Sequence, residues 1–199
     1  MSIRDILIFP EGNEGLRQTS RTVPGLTREV RELVADLKDT LLAHPEGIGL
    51  AAPQIDVHQR LVVVRLGAGA GEHEEPEPPL ALINPRILEE TDRRLDFDGC
   101  LSFPGLYGET VRPHYLHVTG LDEEGNTFHR VFEGFDAVLV HHELDHLDGV
   151  LFIDRARTLD DLYRFAESED GQTTRLPLAT AERRLLEKHR EKRILPPST

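Results

Sequence analysis

The sequence is poor in the residues that mark secreted and membrane proteins. It contains a single cysteine, Cys100, among 199 residues, so an intrachain disulfide is excluded. A reducing compartment is therefore expected, and with it a cytoplasmic location. No apolar run approaches the roughly 20 residues that span a bilayer, since the longest runs resemble "LVVV" at 61–64. The opening "MSIRDILIFP" also lacks the long apolar stretch of a secretory signal.

Positive charge is scarce as well. The chain has 23 Lys and Arg against 36 Asp and Glu, which gives a formal net charge of −13. Binding to the phosphates of DNA requires a broad basic surface, so we expect no DNA partner and no general nucleic-acid binding. Hydrophobic residues at 38% and charged residues at 30% are typical of a globular protein of one domain.

The first half of the chain combines a helix with strands. Leu and Val recur at helical spacing over 26–43, which predicts an amphipathic helix that begins near Thr27 and ends before Pro45. The β-branched stretch 59–66 predicts a strand. The segment 67–79, rich in Gly, Glu and Pro, is expected to be a mobile, solvated loop.

The middle of the chain favours strands followed by another helix. A short apolar stretch predicts a strand at 81–85 that is ended by Pro85. Apolar and polar residues alternate over 115–134 on either side of a turn at 124–126, the pattern of a β-hairpin. The order of helix, strands, hairpin and helix predicts an α+β fold.

The stretch "VHHELDHLDG" (140–149) predicts a helix that carries metal ligands. An apolar stripe on the preceding turns continues in phase into His142 and His146, with Asp136 as the expected N-cap and Gly149 as the expected stop. Residues four apart lie on one face of a helix, so both imidazoles can reach one ion. Glu143 then lies beside the ion, where it can accept a proton from a bound water.

Three polar neighbours on this helix are not expected to be ligands. His141 is out of phase with the pair and is interpreted as exposed or hydrogen-bonded. Asp145 and Asp148 are expected to be solvated, although either could orient a ligand ring through a hydrogen bond.

A third ligand must come from elsewhere in the chain. In one large group of HExxH enzymes it is a histidine six residues after the second one, but that position is Phe152 here. Another group uses a downstream glutamate, for which Glu167 and Glu169 are the candidates, in a segment that looks polar and irregular. Upstream, Cys100 follows a glycine in "DFDGCLSFPG" (96–105). Its thiolate with two histidines would leave one coordination position open, as in catalytic sites.

The stretch "GIGLAAPQ" (47–54) carries little side-chain bulk, which lets another backbone approach closely. Together with "DGCLS" and "HELDH", in this order and spacing, it resembles the peptide deformylase family. The resemblance covers about residues 3–157 and includes the opening "ILIFPEGNEGLRQTSRTV" and the "GVLFID" after the metal helix.

The resemblance implies a fold, a reaction and roles for particular residues. Small antiparallel or mixed sheets would pack around the central HExxH helix, and the enzyme would remove the formyl group from the N-terminal formylmethionine of newly made polypeptides. It implies these roles: Cys100, His142 and His146 as metal ligands, Glu143 as acid/base, and Gln54 and the Leu101 N–H as oxyanion donors. The implied metal is one divalent ion, ferrous iron as the native one, with Ni2+, Co2+ or Zn2+ as other occupants.

A methionine side chain needs an apolar pocket. Val138 and Leu139 lie one turn before His142 on the metal helix, and Ile48 and Gly49 are expected opposite them.

The second motif departs from the family in one residue. It begins with Asp98 where the family usually has Glu, so the carboxylate has a shorter side chain. In the family this carboxylate pairs with an arginine, which corresponds to Arg112 here. The shorter Asp98 is expected to reach Arg112 less well.

The chain is expected to divide into a catalytic domain over 1–157 and a C-terminal extension over 158–199, polar at first and then basic and partly helical. Residues 175–199 contain seven Lys or Arg against three Glu. Some family members dock a basic C-terminal helix on the ribosome, so the segment 175–193 could bind there; a solvated surface helix is the alternative. Two other functions stay open at this stage: an endopeptidase that uses Glu167 or Glu169, and a metal-holding or ribosome-associated binding protein on a similar scaffold.

Overall fold

The structure is a computed structural model that describes residues 2–67, 77–167 and 172–191. The helices are α1 (Asn13–Leu16), α2 (Arg28–Leu42), α3 (Gly134–Leu147), α4 (Phe152–Arg155) and α5 (Thr180–His189). Two short 3-10 helices cover Ala52–Ile55 and Leu159–Asp161. The strands are β1 (Gly49–Ala51), β2 (Leu61–Val64), β3 (Leu80–Gly99), β4 (Tyr107–Leu121), β5 (Thr127–Glu133), β6 (Leu162–Glu167) and β7 (Thr173–Pro177).

The strands form one sheet in which the named pairs are antiparallel. Its order is β1-β2-β3-β4-β6-β7, and β5 pairs with β4 beside that path. The sheet is antiparallel, and the helices do not alternate regularly with its strands along the chain. The predicted α+β class is therefore confirmed. None of the helices in the described ranges is long and apolar enough to cross a membrane.

Helix α2 matches the prediction from spacing. It begins after Thr27, whose side chain accepts a hydrogen bond from the Val30 N–H, and it ends at Leu42, before Pro45. Its apolar face packs against β1 and β2, where Leu37 and Leu41 are fully buried. This packing holds the segment with "GIGLAA" against the centre of the molecule.

The prediction that Pro85 ends a strand was wrong. Strand β3 continues through Pro85 to Gly99, and its pairing with β4 shifts register between Ile83 and Arg86. Proline has no N–H for the ladder, but a bulge tolerates it because the pairing is already interrupted there. The long strand therefore carries the chain directly to the DGC motif.

The predicted hairpin is confirmed as β4 and β5. Its turn is closed by Asp122, whose carboxylate accepts hydrogen bonds from the N–H groups of Glu124 and Asn126. Strand β4 begins at Tyr107, earlier than the alternating pattern indicated. The extra residues pair with the end of β3 next to the DGC motif.

Helix α3 begins two residues before the predicted N-cap. Its N-cap is Glu133, and Asp136 lies in the first turn, so the N-cap prediction for Asp136 was wrong. The Asp136 carboxylate accepts a hydrogen bond from the Gly67 N–H, a contact between distant segments that local pattern cannot reveal. The predicted stop is confirmed, since the helix ends at Leu147 and Gly149 follows with a φ of +68°.

Burial on every side distinguishes α3 from an ordinary amphipathic helix. All residues from Ala137 to Leu147 are buried, including the charged ones. The helix packs against β1, β2, β4 and β5, so the sheet wraps it. The polar side chains of α3 must therefore find partners inside the protein.

The described part of the C-terminal extension packs on the sheet. Strand β6 pairs with the start of β4, with Tyr163 opposite Tyr107, and β7 pairs with β6. The segment after Tyr163 was expected to be irregular, but it continues as strand β6 to Glu167, so that expectation was wrong for these residues. Helix α5 falls in the stretch expected to be helical, and Leu186 buries its side chain in a core cluster with Leu162. Residues 68–76 of the predicted loop, Glu169, and the end of the basic segment after Glu191 lie outside the described residues.

Candidate metal centre

The end of β3 and the helix α3 bring three ligand-type side chains together. Potential ligand atoms of Cys100, His142 and His146 all lie within 4.8 Å of one another, the one such group of three found in the described ranges. The Cys100 Sγ is 3.3 Å from the His146 Nε2. Glu167, an alternative third ligand, is exposed on β6 and is not in this group.

The donor set fits a divalent metal ion. The Nδ1 of His142 lies 2.7 Å from the Asp98 carboxylate, so His142 has its Nε2 left for an ion. Burial lowers the pKa of His146 well below its usual value, which favours the neutral imidazole and its lone pair. Two imidazoles and a thiolate form a three-ligand set of the kind that leaves a position open for a reaction.

Asp98 reaches Arg112 despite its short side chain. The Arg112 Nε and Nη2 donate to the same Asp98 oxygen at 2.9 and 2.8 Å, and Thr110 donates to that oxygen at 2.7 Å. Burial would raise the pKa of Asp98, but Arg112 and His142 outweigh it and hold the pKa well below its usual range. The expectation that the shorter Asp98 would reach Arg112 less well was therefore wrong.

Arg112 is the centre of a buried network behind the ligands. Its side chain is fully buried and also donates to Asp145, which accepts two hydrogen bonds from Arg155 at 3.0 and 2.6 Å. The expectation that Asp145 is solvated was wrong, whereas Asp148 is exposed and pairs with Arg60. Buried charges persist only when they are paired, and here each has an opposite partner.

His141 belongs to the same network. Its Nδ1 is 2.8 Å from the Arg112 Nη1, which can only donate, so the imidazole proton lies on Nε2, 3.3 Å from Glu90. His141 is therefore hydrogen-bonded and buried, in line with the interpretation that it is not a ligand. Sequence reasoning did not find Thr110, Arg155 or Glu90, which no short motif connects to the helix.

One buried oxygen of Glu143 has no hydrogen-bond partner within the part of the chain that the structure describes. The Oε2 atom is buried and unpaired, and burial raises the pKa of the Glu143 carboxyl to about 7. A Cβ added at Gly49 would lie 2.3 Å from the other oxygen, Oε1, so the missing side chain at Gly49 makes room for this carboxyl. A carboxyl with this pKa can accept and return a proton near neutral pH.

Gln54 is held beside the cluster by contacts with β1 and with the segment that contains Cys100 and Ser102. It is 1% exposed, and its Oε1 accepts a hydrogen bond from the Ala51 N–H at 2.8 Å. Its Nε2 lies 3.2 Å from the Ser102 Oγ and 3.5 Å from the Cys100 Sγ. Ser102, which the sequence reasoning missed, thus helps to orient the amide toward the ligands.

A cleft of about 350 Å³ opens over the cluster. The structure brings every sequence-predicted pocket residue to its wall: Ile48, Gly49, Val138 and Leu139. Gln54, Leu101, Asp98, Cys100, His142 and Glu143 line the same cleft. The sequence reasoning did not identify Phe97, Tyr107 and Phe135, which also line it. A small apolar cleft with few polar groups suits one apolar side chain and an adjacent polar reaction centre.

Comparisons with known proteins agree on one family. The sequence model of polypeptide deformylase matches residues 3–161. A peptide deformylase of Thermomicrobium roseum is 38% identical over 180 residues, which cover 90% of this chain and 100% of the relative. A solved peptide deformylase from Legionella pneumophila has a TM-score of 0.70 at 30% identity, over 94% of this chain and 93% of that one. The peptide deformylase of Ehrlichia chaffeensis in complex with actinonin has a TM-score of 0.71 at 29% identity, with coverage of 94% and 96%.

Proposed function

This chain belongs to the polypeptide deformylase family, and we infer from this that it removes the formyl group from the N-terminal formylmethionine of newly made polypeptides. The reaction is an amide hydrolysis that releases formate. The observation that best supports it is the buried Glu143 carboxyl beside the Cys100, His142 and His146 cluster, whose Oε2 has no hydrogen-bond partner among the described residues. The competing function, an endopeptidase, would need a cleft that accepts a peptide chain on both sides of the scissile bond. Removal of a formyl group needs room for a chain on one side only.

The family is metal-dependent, and we propose that Cys100, His142 and His146 hold one divalent ion. Ferrous iron is the proposed native metal, with nickel, cobalt or zinc as other occupants. When bound, the ion would act as a Lewis acid and lower the pKa of water in the site.

We propose that Glu143 moves the proton of the reaction. It takes a proton from the attacking water and later gives it to the departing amine of methionine. Burial, which raises the pKa of Glu143 to about 7, matches this double role because both protonation states are accessible near neutral pH.

Two donors are proposed for the formyl oxygen, which gains negative charge as water adds to the carbon. One is the Gln54 Nε2, which Ala51 and Ser102 hold in place, and the other is the N–H of Leu101. Removing one such donor typically costs about 3–4 kcal/mol of transition-state stabilisation.

Substrate selection is proposed to depend on the apolar wall of the cleft. Ile48, Gly49, Val138 and Leu139 would receive the methionine side chain. Asp98 and Arg112 are proposed as support, since Asp98 fixes the His142 ring and Arg112 fixes Asp98. Formyl is the smallest acyl group, so a tight site would reject acetyl by size.

A pair of substrates tests this function. We expect the purified chain to release formate from formyl-Met-Ala-Ser and to leave acetyl-Met-Ala-Ser intact, as measured by a formate assay and by mass spectrometry of the peptides. Cleavage between residues of either peptide would favour the endopeptidase. Binding of the formylated peptide without turnover by a metal-loaded chain would favour a binding protein.

Gly49 provides a test of the room around Glu143. Gly49→Ala is expected to lower kcat for formate release by about 10–100-fold, because the new Cβ would meet the Oε1 of Glu143 at 2.3 Å and displace it. Gly25→Ala is the matched control, since no atom of the described residues lies within 4 Å of a Cβ placed there. A Gly49→Ala enzyme as active as the Gly25→Ala enzyme would contradict this placement of Glu143.

We propose that residues 1–157 form the catalytic domain and that 158–199 form an extension. All proposed site residues precede 157, and the family match ends at 161. The extension nonetheless shares a core with the catalytic part, in which Leu178 and Leu186 are buried. A cytoplasmic location accompanies this proposal, because the substrate is made there.

Binding of the basic segment 175–193 to the ribosome is a further proposal. Arg184 and Lys188 are exposed on α5, whereas Arg175 and Arg183 pair with Glu109 and Asp160. Changing Arg184 and Lys188 to Glu keeps Leu186 buried and should weaken co-sedimentation with ribosomes at low salt, since the contact would depend on charge. Unchanged co-sedimentation of the double variant would remove the proposal.

A further inference from the structure

Glu90 of β3 contacts the metal helix α3 at a point outside the cleft. Its Oε2 lies 3.3 Å from the Nε2 of His141, and its Oε1 pairs with Arg93. The side chain of Glu90 is 29% exposed, whereas that of His141 is 2% exposed. Glu90 therefore connects a buried imidazole of the metal helix to the protein surface.

The charge of Glu90 decides which nitrogen of His141 carries the proton. The hydrogen bond from His141 and the nearby charge of Arg93 outweigh the effect of burial and lower the pKa of Glu90 to about 2. An ionised carboxylate can only accept hydrogen bonds, so the Nε2 of His141 must be the donor. The other nitrogen, Nδ1, is then the acceptor that Arg112 requires at 2.8 Å.

Arg112 uses this acceptor to fix the position of its guanidinium group. Both hydrogens of its Nη1 have a partner, since one bond goes to the His141 Nδ1 and the other goes to Asp145. Its Nε and Nη2 donate to Asp98. Loss of the His141 acceptor would leave a buried N–H without a partner, which is costly, and would allow the guanidinium group to tilt toward Asp145.

Asp98 passes the position of Arg112 on to a metal ligand. Its carboxylate uses its two oxygens differently, because Oδ2 accepts from Arg112 and Oδ1 lies 2.7 Å from the His142 Nδ1. A rotation of the guanidinium group would therefore turn the carboxylate and with it the His142 ring. Groups that orient a metal-ligating imidazole strongly affect its affinity for the ion.

The register of the sheet brings both ends of this path of hydrogen bonds to one face of β3. Glu90 is opposite Leu116 of β4 and Asp98 is opposite Gly108, and the pairing between these two points keeps one register. Residues an even number apart on a strand share a face. Here that face meets α3, because Leu116 is fully buried in the core that α3 shares. The strand that ends directly before Cys100 therefore holds the metal helix at two points.

We propose that Glu90 is a positioning residue of the metal centre, which acts through His141 and Arg112 on the orientation of the His142 ring. This inference rests on the proposed function, because it requires a metal ion bound to that ring. Glu90 lies outside the cleft, so its effect should appear in the affinity for the metal. A role limited to the stability of the sheet would instead change the melting temperature alone.

The metal affinity of variants at Glu90 tests this role. Stripped protein is titrated with Co2+ in competition with a chelating dye, and the melting temperature of each stripped variant is recorded. Glu90→Ala is expected to weaken Co2+ binding about 3–10-fold, less than the roughly 10–100-fold that is typical for a group in direct contact with a ligand. Glu90→Gln should keep the affinity within about twofold, because its amide oxygen can still accept from the His141 Nε2.

Arg93→Ala is the matched control, because it removes the other partner of Glu90 and leaves the bond to His141 in place. Its Co2+ affinity should equal that of the unaltered chain. Glu90→Ala is also introduced into a His141→Ala background. There it should have no further effect on the affinity, since the path of hydrogen bonds is already interrupted.

Three results would each overturn the positioning role while formate release by the unaltered chain continues. They are an unchanged Co2+ affinity in Glu90→Ala, an equal loss of affinity in Arg93→Ala, and an equal further loss in the His141→Ala background. An unaltered chain that binds no Co2+ would instead overturn the proposed function, and the positioning role with it.

Discussion

Replacing Cys100 by Ala is expected to remove both the bound metal and the formate release. Two imidazoles would remain, and the Cys100 Sγ that lies 3.3 Å from the His146 Nε2 would be lost. Loss of a residue that merely orients a ligand already weakens metal binding by about 10–100-fold, so loss of a ligand should exceed this range. Metal content after gel filtration and the rate of formate release are the two measurements.

Metal-stripped wild-type protein is the control for the Cys100 variant. If the thiolate acts only as a ligand, Cys100→Ala should melt at the same temperature as the stripped wild type and below the loaded one, because a bound metal stabilises the folded state. Retention of one ion per chain by Cys100→Ala would show that the third ligand lies elsewhere, and would revive Glu167 or Glu169 and the endopeptidase.

Glu143→Ala is expected to abolish turnover while the metal stays. A positioned general acid–base group contributes about 10²–10⁴-fold to the rate, and kcat for formate release should fall by that factor. The fold should not suffer, because no described residue bonds to the buried Glu143 Oε2, and removal of this atom relieves a desolvation cost. Formate release, metal content and melting temperature together measure these effects.

Glu89→Ala is the matched control for the Glu143 variant. Glu89 is exposed on β3, nine residues before the Asp98 that opens the DGC motif, so its loss should leave turnover unchanged. If Glu143→Ala retained the rate of Glu89→Ala, Glu143 would have no part in the proton transfer.

Helices and strands were predictable where one face of the element is buried and the other faces solvent, because the sequence then alternates between apolar and polar residues at a regular spacing. The apolar spacing of α2 and the alternation of the β4–β5 hairpin are local patterns, and the structure confirms both. The pattern failed at Pro85, where pairing with β4 on either side of a bulge carries the strand onward. It also failed for β6, whose mixed sequence is held by its pairing with β4.

The candidate site was predictable only in part, and for a related reason. His142, Glu143, His146 and Cys100 lie in short motifs whose spacing reflects the chemistry. Asp145, in contrast, was expected to be solvated because a polar residue on a helix usually faces water. It is buried because the sheet wraps α3 completely, and the cation that compensates it, Arg112, comes from a distant strand.

The same limit applies to the cap of the metal helix and to the wall of the cleft. Aspartate is a common N-cap residue, but the Asp136 carboxylate instead accepts a hydrogen bond from the Gly67 N–H. Phe97 and Tyr107 occupy ordinary strand positions in the sequence, and only the register of β3 and β4 brings them to the cleft. Contacts across the chain therefore decide what local pattern leaves open.

The most direct test of metal-dependent deformylation is a metal titration of the stripped protein under anaerobic conditions. Ferrous iron is added stepwise, and bound metal and formate release from formyl-Met-Ala-Ser are measured in the same samples. We expect the rate to rise in proportion to bound metal and to reach its plateau at about one ion per chain, as a three-ligand site with an open position requires. A fully loaded chain that releases no formate, or a rate that does not depend on bound metal, would contradict the assignment.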